Sequence, residues 1–228
     1  MDIEENFKEI RKRVPEEVSI VAATKTRTAE EVERAISAGV NHFGENYVQE
    51  AQKKKKIIGG KAEKVNWHMI GHLQKNKINK ALPLFDSIQT IESEYRAKHV
   101  NKRAGREEMI NKRGKETIKV LIQVNIGKEE SKYGIEPNYN QIKELSESIS
   151  EMKHLELKGL MTMEPYSEDP EDSRPYFKKM KDYYEKLREE SFEMEILSMG
   201  MTNSYKVAVE EGSNMIRVGR AIFGERKD

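Results

Sequence analysis

A lysine at the end of an apolar run offers the first chemistry in this sequence. Lys25 follows Val21–Thr24, a pattern typical of a buried strand that ends at a charged residue. Burial disfavours the ammonium form of a lysine, and a neutral amine attacks a carbonyl carbon to form a Schiff base. A lysine at a strand end is also a common surface charge, so this residue alone leaves both interpretations open.

The last part of the chain carries two stretches suited to binding a phosphate. Leu197–Thr202 and Met215–Gly224 each begin as an apolar run and continue into small or hydroxylic residues. A turn of this kind allows backbone N–H groups and a Ser or Thr hydroxyl to surround a phosphate. In a barrel of alternating strands and helices, the loops after the seventh and eighth strands are the usual phosphate site.

A Schiff-base lysine and a phosphate-binding turn are the two anchors of pyridoxal 5′-phosphate (PLP), through its aldehyde and its phosphate ester. Arg217 ends the last apolar run two residues before Gly219, so it is placed to face the ring nitrogen while the turn holds the phosphate. The residues therefore favour a PLP site built from Lys25, Arg217 and the Gly219 turn.

Such a site needs a scaffold that brings distant strand ends together. Eight short β-rich runs separated by helical patterns predict a parallel sheet closed into a (β/α)8 TIM barrel. A helix over Ile3–Arg13 should fill the place of a regular eighth outer helix, since the chain stops soon after the eighth strand. We predict one domain over residues 1–228. The predicted strands are Val18–Ala23, Asn41–Gly44, Val65–Ile70, Ser87–Ile91, Ile118–Asn125, Leu155–Met161, Glu195–Ser198 and Met215–Val218.

Composition excludes several classes of function. The 228 residues include 41 basic and 40 acidic side chains, and this net charge of +1 gives no reason to expect nucleic acid as a partner. The chain has no Cys, which excludes disulfides and thiolate metal sites. Its acidic N-terminus and the lack of a long apolar run predict a cytoplasmic protein with no membrane association.

Three other features are expected to have no functional role. The segments Arg96–Lys115 and Lys53–Lys56 are dense in charge, and we interpret them as a long solvated helix with a loose end and as a solvated helix face. His68 and His72 have the spacing of a zinc pair, but Gly71 between them argues against the helix that such a pair needs.

Several ordered motifs along the chain resemble those of one family. The sequence is similar to the YggS/PROSC family of PLP homeostasis proteins, whose fold is the barrel of the alanine racemase N-terminal domain, of PLP fold type III. The matching stretches are Ala22–Thr26, Phe43–Glu50, Trp67–Lys77, Val124–Glu129, Lys132–Gly134, Gly159–Met163, Leu197–Thr202 and Arg217–Gly224.

The resemblance implies roles for residues around the ring of the cofactor. It makes Lys25 the residue that carries the internal aldimine, and it places Asn46 beside the cofactor. It also implies that Arg217 faces the pyridine nitrogen. An arginine there leaves the ring nitrogen unprotonated, and the ring is then a weak electron sink.

At the phosphate, the resemblance implies contacts from Ser198 and Thr202 together with the backbone of Gly219 and Arg220. One position departs from the family pattern, because Arg220 stands where relatives usually have Ser or Thr. Backbone contacts survive this change. The arginine side chain either reaches the phosphate as an additional cation or turns away.

These features favour a carrier or regulator of PLP without substantial turnover, with PLP-dependent apoenzymes as candidate recipients. A racemase needs a second base opposite the cofactor, and in alanine racemase another domain supplies it. Three alternatives stay open: a PLP-dependent racemase with Tyr47 or His68 as its base, a PLP-free barrel enzyme that uses Lys25 on a phosphorylated metabolite, and an interaction protein whose barrel is a vestigial scaffold.

Overall fold

A computed structural model describes residues 2–225 of the chain. Eight parallel strands form a closed barrel in sequential order, and the last strand pairs with the first. This arrangement confirms the predicted (β/α)8 barrel. The strands are β1 Ser19–Ala23, β2 His42–Glu45, β3 Asn66–Met69, β4 Ser87–Ile91, β5 Ile118–Val124, β6 Leu155–Thr162, β7 Ile196–Ser198 and β8 Met215–Val218.

Helices surround the barrel, and most strands are followed by at least one. The chain begins with a helix that precedes the first strand, as the sequence predicts. The helices are α1 Ile3–Lys12, α2 Ala29–Ser37, α3 Val48–Ile58, α4 Ile78–Ala81, α5 Glu94–Ala104, α6 Glu107–Arg113, α7 Tyr139–Ser150, α8 Arg174–Glu189, α9 Tyr205–Glu210 and α10 Arg220–Phe223. Within residues 2–225, none of these helices is long and apolar enough to cross a membrane.

The helix α1 occupies the position where an eighth outer helix would pack. The helix after β8, α10, has only 4 residues and cannot cover that side of the barrel. Asn6 of α1 donates a hydrogen bond of 3.0 Å to the Ile222 carbonyl of α10. Ile3, Phe7 and Ile10 form the buried face of α1, so the first helix closes the apolar layer beside the last strand.

The interior of the barrel is more polar than the layer between strands and helices. Gln89 of β4 accepts a hydrogen bond of 2.8 Å from the Ser198 hydroxyl of β7, and its amide donates to Met215 Sδ of β8 at 3.2 Å. These strands are not neighbours of β4 in the sheet, so the contacts cross the barrel. A polar interior of this kind can hold the charged group described below.

The charged segment Arg96–Lys115 differs from the long solvated helix that the sequence predicts. It forms part of two helices, α5 and α6, that are separated at Gly105. A Cβ at Gly105 would lie 2.3 Å from the His154 ring. Glycine therefore allows the backbone between α5 and α6 to pack closely against His154. Val100 and Met109 are buried, which shows that each helix packs against the protein.

Candidate cofactor site

A cavity of about 670 Å³ opens at the carboxyl ends of the strands, the end where (β/α)8 barrels build their functional sites. Two of its walls come from the loops after β1 and β8, because these strands are paired with Val21 beside Arg217. The cavity brings together six of the seven predicted site residues, which are Lys25, Asn46, Thr202, Arg217, Gly219 and Arg220.

Lys25 is half-buried and lies two residues after Ala23, the last residue of β1. Its Nζ lies 5.6 Å from the centre of the Tyr47 ring, within the range of a cation–π interaction. Asn46 precedes Tyr47 and follows β2, the neighbour of β1. Lys25 therefore has the aromatic ring of Tyr47 near its amine, and Asn46 lines the same cavity.

The structure contradicts the prediction that Lys53–Lys56 is a uniformly solvated face. Lys53 and Lys56 are exposed, but Lys54 is buried and donates to Glu45 Oε1 at 2.5 Å. Burial raises the pKa of the Glu45 carboxyl, and the neighbouring Lys54 ammonium opposes this effect. The α3 helix thus turns one lysine of the run toward the barrel.

Arg217 lies at the floor of the cavity and is 5% exposed. Its guanidinium donates to the Ser198 hydroxyl at 2.7 Å and to the Thr162 carbonyl at 2.5 Å. Burial lowers the pKa of Arg217 to about 10, while the charge of Glu164 acts in the opposite direction. The guanidinium is therefore still protonated near neutral pH, and both of these hydrogen-bond acceptors are uncharged.

Ser198 is the predicted site residue that the structure does not bring to the cavity. Its side chain is fully buried, and the cavity lining does not include it. The hydroxyl accepts from Arg217 and donates to Gln89 at 2.8 Å. This arrangement argues against the predicted phosphate contact, because the hydroxyl is already hydrogen-bonded to Arg217 and to Gln89.

The wall of the cavity formed by the loops after β7 and β8 is suited to an anion. The backbone N–H of Gly219 points to the Thr202 hydroxyl at 3.4 Å, so the loops after β7 and β8 place both groups together. A Cβ at Gly219 would lie 3.2 Å from the Ala23 carbonyl oxygen, a crowded position that favours glycine. Arg220 lines the same wall, and its guanidinium lies 3.8 Å from Glu225 Oε1 at the rim.

Sequence reasoning missed two buried charged residues of the cavity, Glu164 and Arg27. Glu164 is 2% exposed and accepts a hydrogen bond from the Ser204 hydroxyl. Arg27 is also buried and donates to the Phe223 carbonyl at 3.3 Å. Arg27 lies two residues after Lys25, in the same loop, and this closeness in sequence was the signal that could have indicated its place in the cavity. Glu164 lies in a loop, where no sequence periodicity indicates its burial.

The chemistry of this cavity matches the functional groups of PLP. A lysine amine is available for an aldehyde, and a buried guanidinium is available for an acceptor on a ring. A hydroxyl, a glycine N–H and an arginine are available for a phosphate. Within residues 2–225 no group of three or more side chains is arranged to hold a metal ion.

Comparison with known proteins identifies the family. A model of the alanine racemase N-terminal domain matches residues 1–227, and the chain belongs to this family. The pyridoxal phosphate homeostasis protein of Aquifex aeolicus is 38% identical over 209 residues, which cover 91% of this chain and 87% of that protein. The pyridoxal phosphate homeostasis protein of Schizosaccharomyces pombe is 39% identical over 212 residues, covering 92% and 84%. These matches confirm the resemblance seen in the motifs.

Solved structures agree with this assignment. The structure of PipY from Synechococcus elongatus with PLP bound superposes with a TM-score of 0.85 at 29% identity. The match covers 97% of this chain and 100% of the PipY chain. The alanine racemase of Clostridium difficile 630 has a TM-score of 0.77 at 16% identity, covering 100% of this chain and 60% of that one. The racemase comparison concerns the fold alone, and it confirms an alanine racemase-like barrel.

Proposed function

We propose that this protein binds PLP and serves its homeostasis in the cell as a carrier or regulator that has no substantial catalytic turnover. The observation that carries this proposal is the single cavity in which a lysine amine, a buried guanidinium and an anion-binding wall meet. The names of the relatives and the PLP bound to PipY support it. We further propose that residues 1–228 are one PLP-binding domain, although residue 1 and residues 226–228 lie outside the described part.

Lys25 is the proposed point of attachment. Its Nζ adds to the aldehyde carbon of PLP, the aldehyde oxygen leaves as water, and a C=N bond joins protein and cofactor. Asn46 lies beside the ring, and Arg217 donates toward the ring nitrogen. Because Arg217 remains protonated near neutral pH, it disfavours protonation of that nitrogen.

Thr202, the Gly219 N–H and Arg220 are the proposed phosphate ligands. The hydroxyl and the N–H are already adjacent, so a phosphate oxygen can accept from both. In this proposal Ser198 acts on the cofactor through Arg217, since its hydroxyl contacts that guanidinium directly.

The surroundings of His68 and Tyr47 favour a carrier over a racemase. His68 does not line the cavity, and its ring nitrogens face His42 at 2.9 Å and the Ser87 hydroxyl at 2.7 Å. Tyr47 is near Lys25 but is 50% exposed, so water reaches it. In this proposal the protein is cytoplasmic, and PLP-dependent apoenzymes receive the cofactor.

The test is the absorption spectrum of the purified protein with PLP, followed by borohydride reduction and peptide mapping. A visible band and a pyridoxyl group on Lys25 are expected, and Lys25→Ala should lose both. The matched control is Lys53→Ala, since Lys53 is exposed on α3. A pyridoxyl group on another lysine would refute the assignment of Lys25, and an absence of any PLP binding would refute the proposed function.

Turnover is tested separately with PLP-loaded protein and L-alanine or other amino acids, using chiral analysis and detection of keto acids. The expected product formation is near background. Saturable turnover of about 1 s⁻¹ or more that is lost in Lys25→Ala would favour the racemase instead.

A further inference from the structure

An ion cluster with two buried members lies behind the cavity, between β2 and α3. It consists of Glu45, Glu50 and Lys54, and we call it the Lys54 cluster. Lys54 Nζ lies 2.5 Å from Glu45 Oε1 and 3.3 Å from Glu50 Oε2. The Lys54 side chain is 6% exposed and the Glu45 side chain 0%. None of the three lines the cavity, so the PLP contacts proposed above leave the cluster unexplained.

The cluster holds the residue that precedes Lys25. The Thr24 hydroxyl donates to Glu45 Oε1 at 2.6 Å, and the Thr24 carbonyl accepts from Lys54 Nζ at 2.6 Å. Thr24 is fully buried. The hydroxyl and the carbonyl of Thr24 are therefore each fixed by a charged side chain, one from β2 and one from α3.

The cluster also holds the residue that follows Lys25. The Thr26 N–H donates to Glu50 Oε2 at 3.0 Å. Thr26 has a φ of 67°, a left-handed conformation that is unfavourable for a β-branched residue. The hydrogen bond to Glu50 stabilises this conformation, so the backbone on both sides of Lys25 is bound to the same cluster.

Packing alone gives little reason for charges at this place. Removing two charges from water costs free energy that their attraction often fails to offset, and well-packed apolar residues are frequently as stable. Glu45 Oε2 is buried and has no hydrogen-bond partner among the described residues, which adds to the cost. The charged side chains instead bind Thr24 and Thr26, and one of them, Glu45, is the last residue of β2 and directly precedes Asn46.

We propose that Glu45, Glu50 and Lys54 are positioning residues, which fix the backbone around Lys25 so that its amine points into the cavity for attachment of PLP. This inference rests on the proposed function, because it takes Lys25 as the point of attachment. The cluster touches no proposed phosphate ligand, so its loss should affect attachment through Lys25 much more than phosphate binding.

The main test is the double variant Glu45→Gln/Lys54→Met, which removes both buried charges with little change in side-chain size. Two probes are compared: PLP, which reacts with Lys25, and pyridoxamine 5′-phosphate, which has the phosphate but no aldehyde. Stopped-flow absorbance should show Schiff-base formation slowed about tenfold, the scale of a lost charged hydrogen bond. The dissociation constant for pyridoxamine 5′-phosphate should change less than about twofold.

A second variant, Glu50→Ala, removes the contact to Thr26 and the 3.3 Å contact to Lys54, but it keeps the buried pair of Glu45 and Lys54. Glu50 is 32% exposed, so this variant decides the matter if the double variant fails to fold. It should also slow Schiff-base formation selectively, whereas the control Lys53→Met should behave as the wild type. Unchanged rates in folded variants, or equal weakening of both probes, would overturn the positioning role. A Schiff base that persists in Lys25→Ala would instead refute Lys25 as the point of attachment, and an absence of PLP binding in the wild type would refute the proposed function.

Discussion

Arg217 and Lys54 are both buried cations, and they lie on opposite sides of the barrel wall. Arg217 is inside the barrel and donates to a hydroxyl and a carbonyl. Lys54 is outside, between β2 and α3, and lies within 4 Å of two carboxylates. The positive charge of Lys54 is therefore balanced within the protein. Both hydrogen-bond acceptors of Arg217 are neutral, although the charge of Glu164 also acts on it, and Arg217 lines the cavity where a ligand would bind.

The largest expected effect concerns the charge balance around Lys54. Lys54→Met alone leaves Glu45 as a buried carboxylate without its cation, and such a loss costs about 3–5 kcal/mol. Urea unfolding should show this decrease in the free energy of unfolding. Adding Glu45→Gln should recover most of it. A decrease below about 1 kcal/mol in the single variant would remove the contrast with Arg217.

Arg217→Met should act mainly on the ligand. A charged hydrogen bond contributes about 1.5–3 kcal/mol, so PLP affinity should fall about tenfold or more. Stability should fall less than in Lys54→Met, because the groups left behind are a hydroxyl and a carbonyl. Calorimetric titration with PLP and urea unfolding measure the two effects. A larger loss of stability than in Lys54→Met would break the comparison.

His68, a buried histidine of β3, tests whether the barrel interior accepts a positive charge besides that of Arg217. Burial lowers the pKa of His68 to about 3, so the folded protein resists protonation that the unfolded chain accepts below its ordinary value of 6.5. Stability should therefore fall as the pH decreases from 6.5 toward 3, by about 2 kcal/mol at pH 5 for one such histidine. His68→Gln should reduce this loss in urea unfolding at pH 7 and 5, and an unchanged pH dependence would contradict it.

The smallest effects separate direct from indirect contacts. Thr202→Ala should weaken PLP about tenfold and leave pyridoxal, which lacks the phosphate, nearly unaffected. Ser198→Ala should weaken both ligands by a similar factor, because Ser198 contacts Arg217 and not the cavity. Fluorescence titration with both ligands measures the ratio. Selective loss of PLP in Ser198→Ala would restore the direct phosphate contact predicted from sequence.

The barrel itself could be predicted because eight apolar runs recur between helical patterns, and each run corresponds to a strand. The cavity residues Lys25 and Gly219 could be predicted because a strand end determines which edge of the barrel they reach. Lys54 could not, because four consecutive lysines give no sign of which one faces the barrel. The burial of Ser198 outside the cavity lining could not be predicted, because it depends on the register of β7 against its neighbouring strands. Its predicted phosphate contact stays a prediction.

The pairing of β1 with β8 has a consequence for biosynthesis. Lys25 emerges early during translation, whereas Arg217 and the Gly219 turn emerge almost 200 residues later. The cavity therefore forms only after the ribosome has released β8 and the two strands have met. PLP in the cell would then stabilise only chains whose β8 has been translated and has closed the barrel against β1, and this stabilisation would increase with the concentration of free PLP.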